Sequence, residues 1–231
     1  MFGATDGSGS ATILATRGIT SASQEALRLL LSLADEIGVD ADWLASVISF
    51  ESGWNPAARN KYSRATGLIQ FMPATAQRLG TTVDDLINMS DVEQMPYVRQ
   101  YYLPFSGKLH NLEDTYLAVF YPAAIGKSND WVVGAPGTKV YEQNAGFDKA
   151  GKGYVTRGDI VTTINGVYNG AGGKRIEVTG ATPSSPPGNV PDVTPDDGGF
   201  TPETQQPKAV LFGIGLALGV AGWYFWENRR R

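Results

Sequence analysis

Glu51 closes an apolar run. Trp43, Leu44, Val47, Ile48 and Glu51 fall at relative positions 0, 1, 4, 5 and 8, which is one face of a helix. A carboxylate that continues a buried stripe is partly desolvated, and desolvation disfavours its charged form. The helix dipole acts in the same sense at a C-terminal end. A glutamic acid so placed can keep its proton near neutral pH and donate it, which is the chemistry of a general acid. The same spacing fits a glutamate paired with a base or turned to water, and spacing alone leaves these readings open.

Other chemistries lack their residues. The 231-residue chain has no cysteine and one histidine, His110. Thiol nucleophiles and disulfides are excluded, and a multi-histidine zinc centre has too few ligands. A Ser-His-Asp hydrolase would depend on His110, near which no nucleophile-elbow motif stands. Carboxylate chemistry remains. The formal net charge of −4 argues against a nucleic-acid partner. Residues 179–207 carry four acids and no base, and residues 208–231 carry a net +3, which leaves −3 for residues 1–178. The part able to fold is close to neutral.

The elements that must position Glu51 read as a mainly α domain. Residues 1–18 are rich in Gly, Ser, Thr and Ala and read as a flexible arm, so the domain is expected over residues 21–172. Residues 21–38 have the apolar stripe Leu27, Leu30, Leu31, Ala34 and Ile37, with Ser21 and Gln24 as a capping box. Asp40 caps a second helix, 41–51. Pro73 suits the first turn of a helix ending at Gly80. Ser90 with Glu93 marks another capping box, with Pro96 either inside its first turns or breaking it. Asn111 caps 112–121 ahead of Pro122, and Thr156 with Asp159 opens a last helix to about residue 168. Residues 131–133 and 153–155 read as short extended pieces.

Residues 173–207 change character, with seven prolines between 179 and 207. Such a segment buries too little apolar surface to fold and is expected to be a disordered linker. Residues 209–226 are 18 in a row without a charge. They form a short candidate transmembrane helix within 208–228, with Trp223, Tyr224 and Trp226 suited to the headgroup region and the basic tail 229–231 beyond. The lipid bilayer is the expected partner of this segment. The arginines place the folded domain on the opposite, non-cytoplasmic side.

Glu51-Ser52-Gly53-Trp54-Asn55-Pro56, then Ala65-Thr66-Gly67-Leu68-Ile69-Gln70-Phe71 and Met72-Pro73-Ala74-Thr75-Ala76, resembles the soluble lytic transglycosylase family, relatives of goose-type lysozyme. The matched core covers about 30 residues, and looser similarity runs over 21–168. The resemblance implies a lysozyme-like fold and cleavage of peptidoglycan. Glu51 would protonate the glycosidic oxygen between N-acetylmuramic acid and N-acetylglucosamine. It would then act as base while the muramoyl C6 hydroxyl attacks C1 to form a 1,6-anhydro ring. The substrate supplies the nucleophile, so one carboxylate suffices, whereas an ordinary glycosidase needs two. Asp84, Asp85, Asp91 and Asp114 have no comparable motif support. A hydrolytic muramidase and a non-catalytic wall-binding or structural module remain the alternatives.

The resemblance also implies substrate-binding roles. Ser52 would orient Glu51, and Gln70 would contact sugar amides or hydroxyls. Gly67 would let the backbone approach the saccharide, or serve a tight turn. Ile69 and Phe71 would be cleft walls or core. Tyr121 matches a family tyrosine aimed at the catalytic Glu, although Pro122 and Ala124 depart from the Tyr-Asn-Ala-Gly pattern. No cofactor is implied. Residues 148–159 have the frame of an EF-hand loop, with acids at its first and last positions, but Ala150 and Lys152 stand where oxygen ligands belong. The loop is read as metal-free. The sequence opens without a secretory leader, an arrangement that suits a virion component of a bacteriophage with an internal membrane, acting on the wall during genome entry. A bacterial envelope protein is the alternative, and membrane or virion proteins are possible neighbours.

Overall fold

The computed structural model describes residues 10–180. The candidate span at 209–226 and all but the first residues of the expected linker lie outside them. Among the described residues no helix is long and apolar enough to cross a membrane.

Eight α-helices and four short strands make up this part. Strand β1, Ala11–Leu14, is followed by a 3-10 turn and helix α1, Gln24–Ile37. Ser23, not Ser21, caps α1: its side chain accepts from the Ala26 amide. The Ser21 hydroxyl instead donates to Gly18 O within the preceding turn, at 2.7 Å. Helix α2, Ala41–Ser52, starts at the Asp40 cap, whose side chain accepts from Asp42 N. After an irregular loop come α3, Pro73–Arg78, α4, Val83–Leu86, and α5, Asp91–Tyr102. The Ser90–Glu93 capping box forms, and Pro96 sits inside α5 without ending it. Helix α6, Leu112–Phe120, begins at the Asn111 cap and stops ahead of Pro122. Strand β2, Val132–Gly134, helix α7, Lys139–Asn144, and strand β3, Val155–Thr156, lead to α8, Arg157–Gly170, and to strand β4, Arg175–Val178. The Thr156–Asp159 capping box opens α8. Strands β2 and β3 pair antiparallel close to where extended pieces were expected.

Two boundaries differ from the sequence reading. Residues 11–14 are not arm and residues 175–178 are not linker: β1 and β4 pair antiparallel, Ala11 opposite Val178 and Leu14 opposite Arg175. Composition misleads here because the stability of this ribbon is tertiary. Ala11, Ile13, Leu14 and Val178 are buried, and Arg175 donates to Asp42 Oδ2 at 2.8 Å.

The core is centred on α2. Leu44, Ala45, Val47 and Ile48 are buried against side chains of α1, α6 and α8. An aromatic cluster lies beside them, in which Phe71 meets Tyr101 edge-on and Tyr116 stacks on Phe120.

The segment after β1 runs along α2 from one end to the other. Leu14 N donates to Asp42 Oδ1 at 2.8 Å, and Thr16 Oγ1 donates to Ala45 O at 3.4 Å. Arg17 donates to Ser49 O at 2.8 Å, and Ser49 Oγ returns a bond to Arg17 O at 2.8 Å. Gly18 then meets Gly53, where a methyl group would lie 2.0 Å from the Gly53 carbonyl oxygen. Its φ of 82° is a second reason for glycine there. Extended chain rises about 3.3 Å per residue and helix about 1.5 Å, so these few residues span most of α2.

Candidate active site

Glu51 stands in the last turn of α2. It is half-buried, and its Oε1 atom is buried. The helix stops because Gly53 and Trp54 both take left-handed backbone, with φ of 61° and 63°. For a buried tryptophan this is a strained conformation, and such strain persists only where the surroundings enforce it. Arg17 binds the Ser49 carbonyl in the same final turn, so a cation stands at the negative end of the helix dipole.

Two phenols accompany the carboxylate. Tyr102, at the end of α5, and Tyr116, on α6, are both fully buried. Burial pushes each hydroxyl well above its ordinary value. The nearby Glu51 carboxylate adds to both shifts, after Tyr101 in the case of Tyr102. Both therefore stay neutral donors through the physiological range. Tyr102 donates to Thr115 O at 3.2 Å. Sequence reasoning missed these two residues. The signal was present only in part: Tyr116 lies on the apolar face of α6, but nothing local says that α6 meets the end of α2.

The loop between α2 and α3 folds back on itself. Thr66 and Phe71 exchange backbone hydrogen bonds, Thr66 N to Phe71 O at 3.0 Å and Phe71 N to Thr66 O at 2.8 Å. Gly67, Leu68, Ile69 and Gln70 form the tip between them. Gln94 of α5 pins it: its Oε1 accepts from Leu68 N at 2.8 Å, and its Nε2 donates to Pro56 O at 2.7 Å and Leu86 O at 2.8 Å. Gly67 is buried with φ 86°, and a methyl group there would lie 2.4 Å from Gln94 Oε1. The glycine is thus explained by the turn and by Gln94, not by backbone exposed to a sugar.

The other residues assigned from the sequence sort themselves by burial. Ile69 and Phe71 are core, at 0% and 1% exposure. Gln70 is buried with φ 51°, and its Nε2 donates to Ala58 O and Gly67 O, both at 3.1 Å. Its amide donors are spent on holding the loop, which leaves only its carbonyl oxygen for a ligand. The Ser52 hydroxyl donates back to Ile48 O at 3.2 Å within the helix, so its one proton is committed there. Tyr121 is half-buried at the end of α6 and stacks on Trp131, ring centroids 5.7 Å apart.

The other acids have structural partners. Asp84 is exposed between Arg59 and Arg64, whose hydrogen bonds hold its carboxyl below the usual range. Asp85 accepts at 2.7 Å from the hydroxyl of Thr82, the cap of α4, Asp91 accepts from Ser23 N at 2.6 Å, and Asp114 pairs with Arg157 at 3.5 Å.

Residues 29–100 match the family model described as the transglycosylase SLT domain. Over these residues the chain is similar to the transglycosylase SLT domain. The match runs from α1 through α5 and includes Glu51, the pinned loop and Gln94. It stops before Tyr102, Tyr116 and Tyr121. Comparison with curated proteins and with solved structures finds no match. The SLT domain is that of lytic transglycosylases, lysozyme-like proteins that cleave peptidoglycan.

In the EF-hand-like loop, the Lys152 ammonium donates to both oxygens of Asp159, at 2.9 and 2.7 Å. The Asp148 oxygens accept from the amides of Lys152 and Gly153, at 2.9 and 2.7 Å. A side-chain cation thus neutralises the loop's last acid from within. Among the described residues no cluster of three or more candidate metal ligands occurs.

Proposed function

We propose that the SLT domain is an active lytic transglycosylase in which Glu51 is acid and then base. Protonated Glu51 gives its proton to the glycosidic oxygen as the C1–O bond of N-acetylmuramic acid breaks. The muramoyl C6 hydroxyl bonds to C1 and returns its proton to Glu51. The product carries a 1,6-anhydro ring, no water is consumed, and the glutamic acid is regenerated. The observation that carries this reading is the position of Glu51: half-buried in the last helical turn, inside the SLT match, beside two neutral buried phenols. The Glu51 Oε1 atom is buried, and the neutral phenols can donate to the carboxylate that forms when the proton leaves.

The partners bound elsewhere to Asp84, Asp85, Asp91 and Asp114 support a route that needs no second carboxylate. The uncharged run at 209–226 supports a membrane tether, which would hold the domain at high local concentration near the wall. A role in phage genome entry is the biological setting proposed for such a tethered enzyme.

Peptidoglycan zymography tests the assignment. The wild type is expected to clear the gel, and Glu51→Gln to lose at least a hundredfold of that activity. Equal clearing by both removes Glu51 as catalyst. No clearing by either favours the wall-binding module.

A further inference from the structure

Tyr116 has no exposed surface, and its hydroxyl has no hydrogen-bond partner among the described residues. The neighbouring buried phenols do have partners: Tyr101 donates to Ala118 O at 2.9 Å and Tyr102 to Thr115 O at 3.2 Å. An orphaned buried hydroxyl opposes folding, because its bonds to water are lost and not replaced. Phenylalanine would fill the same space without that penalty. The ring is fixed in place, edge-on to Phe50 with centroids 5.1 Å apart and stacked on Phe120 at 5.8 Å. Phe50 directly precedes Glu51, so these contacts bring Tyr116 to the last turn of α2.

We propose that Tyr116 is the positioning residue of Glu51: its phenol donates a hydrogen bond to the carboxylate that forms when Glu51 has given up its proton. The bond is made strongly only in that ionised state, and it holds the oxygen pair for the returning C6 hydroxyl proton. The inference rests on the reading of Glu51 as acid and base. Its position is five residues before Tyr121, the tyrosine that the family resemblance assigns, and Tyr121 is engaged with Trp131.

Among the described residues, the ionisable groups at this end of α2 include Tyr116 from α6, Tyr102 from α5 with Tyr101 behind it, and Arg17 from the segment before α1; Glu113 of α6 accepts from Asn165 at 2.9 Å. Elsewhere on the elements packed against α2, Arg175 binds Asp42, and Tyr168 is shifted first by burial and then by Asp42 and Asp40, at the opposite end. Arg157 pairs with Asp114 and Asp159 with Lys152, and on α1 Arg28 pairs with Glu25 and Glu36 with Arg99, leaving Asp35 exposed.

The test is Tyr116→Phe in the full chain, with Tyr102→Phe as comparator. Removing the Tyr116 hydroxyl is expected to raise Tm by a few degrees, while removing the bonded Tyr102 hydroxyl lowers it. Loss of a donor to the charged form raises the Glu51 titration midpoint, read by carbon-13 NMR of its carboxyl, by about one unit. The high-pH limb of kcat/KM moves upward with it, and kcat falls roughly tenfold. An unchanged midpoint with an unmoved pH profile overturns the proposal, whatever the Tm. If the wild type cleaves no glycan yet the midpoint rises in the variant, the Tyr116–Glu51 contact stands and the catalytic reading is what fails.

Discussion

Gly67 and Gln94 act as a pair. The glycine leaves the volume that the Gln94 amide occupies, and that amide makes three hydrogen bonds to the backbone of the loop and its surroundings. Gly67→Ala combines a positive φ with a close overlap and is expected to cost roughly 2–5 kcal/mol in denaturant unfolding. Gln94→Ala leaves Leu68 N and two carbonyls unpaired and is expected to cost about 2–4 kcal/mol. Because each residue's penalty depends on the other, the double variant should be less destabilised than the sum. Strict additivity would show that Gln94 does not set the need for glycine. At this scale the sequence was informative about Glu51, since helical spacing alone carried it to the end of an apolar face. It was poor at showing which residues support the loop, because Gln70 and Gly67 owe their bonds to Ala58 and Gln94, brought close only by folding.

Helix α2 is held along its length by a segment that composition marks as an arm. Local chemistry announced the helices well: the caps at Asp40, Ser90, Asn111 and Thr156 stand where their side-chain oxygens imply. It could not announce β1 or β4, because each is four residues long and each is stable only against the other and Asp42. Arg17→Ala removes the cation bonded to Ser49 O in the turn that carries Glu51. We expect Tm to fall by only a few degrees and kcat to fall more than KM rises, measured on soluble peptidoglycan fragments. Equal effects on all three would mean that the segment only stabilises.

The loop at 148–159 gives a pH prediction of the same scale. Desolvation pushes the Asp159 carboxyl up, but the Lys152 ammonium and the Thr156 contacts outweigh it and hold the group below its usual range. A depressed folded value contributes stability above the unfolded value near 3.8, and this is lost as pH falls through the folded value. Lys152→Ala should therefore lower Tm at pH 7, with the difference from wild type shrinking below pH 4. A difference that persists undiminished in acid would assign the effect to packing of the lysine stem.

Over the whole molecule, the core described for residues 10–180 closes on itself, with β1 and β4 bringing the two ends of that stretch together. A chain ending at residue 180 is expected to keep the Tm of the full chain and to cleave peptidoglycan in solution. The full chain should float with lipid vesicles and the shortened one should not. Flotation of both would place membrane affinity in the folded domain and remove the tether at 209–226. The near-neutral balance of the first 178 residues makes this separation sensible, since the domain has little charge with which to concentrate itself on an anionic wall.

In the proposed reaction one carboxylate, Glu51, cleaves the glycan with the substrate's own hydroxyl as nucleophile. Mass spectrometry of muropeptides released by the wild type tests it most directly. The wild type is expected to release 1,6-anhydro products, each one water lighter than the hydrolysed form, and Glu51→Gln to lose them. Release of reducing-end sugars instead, or of the same anhydro products from the variant, would contradict it.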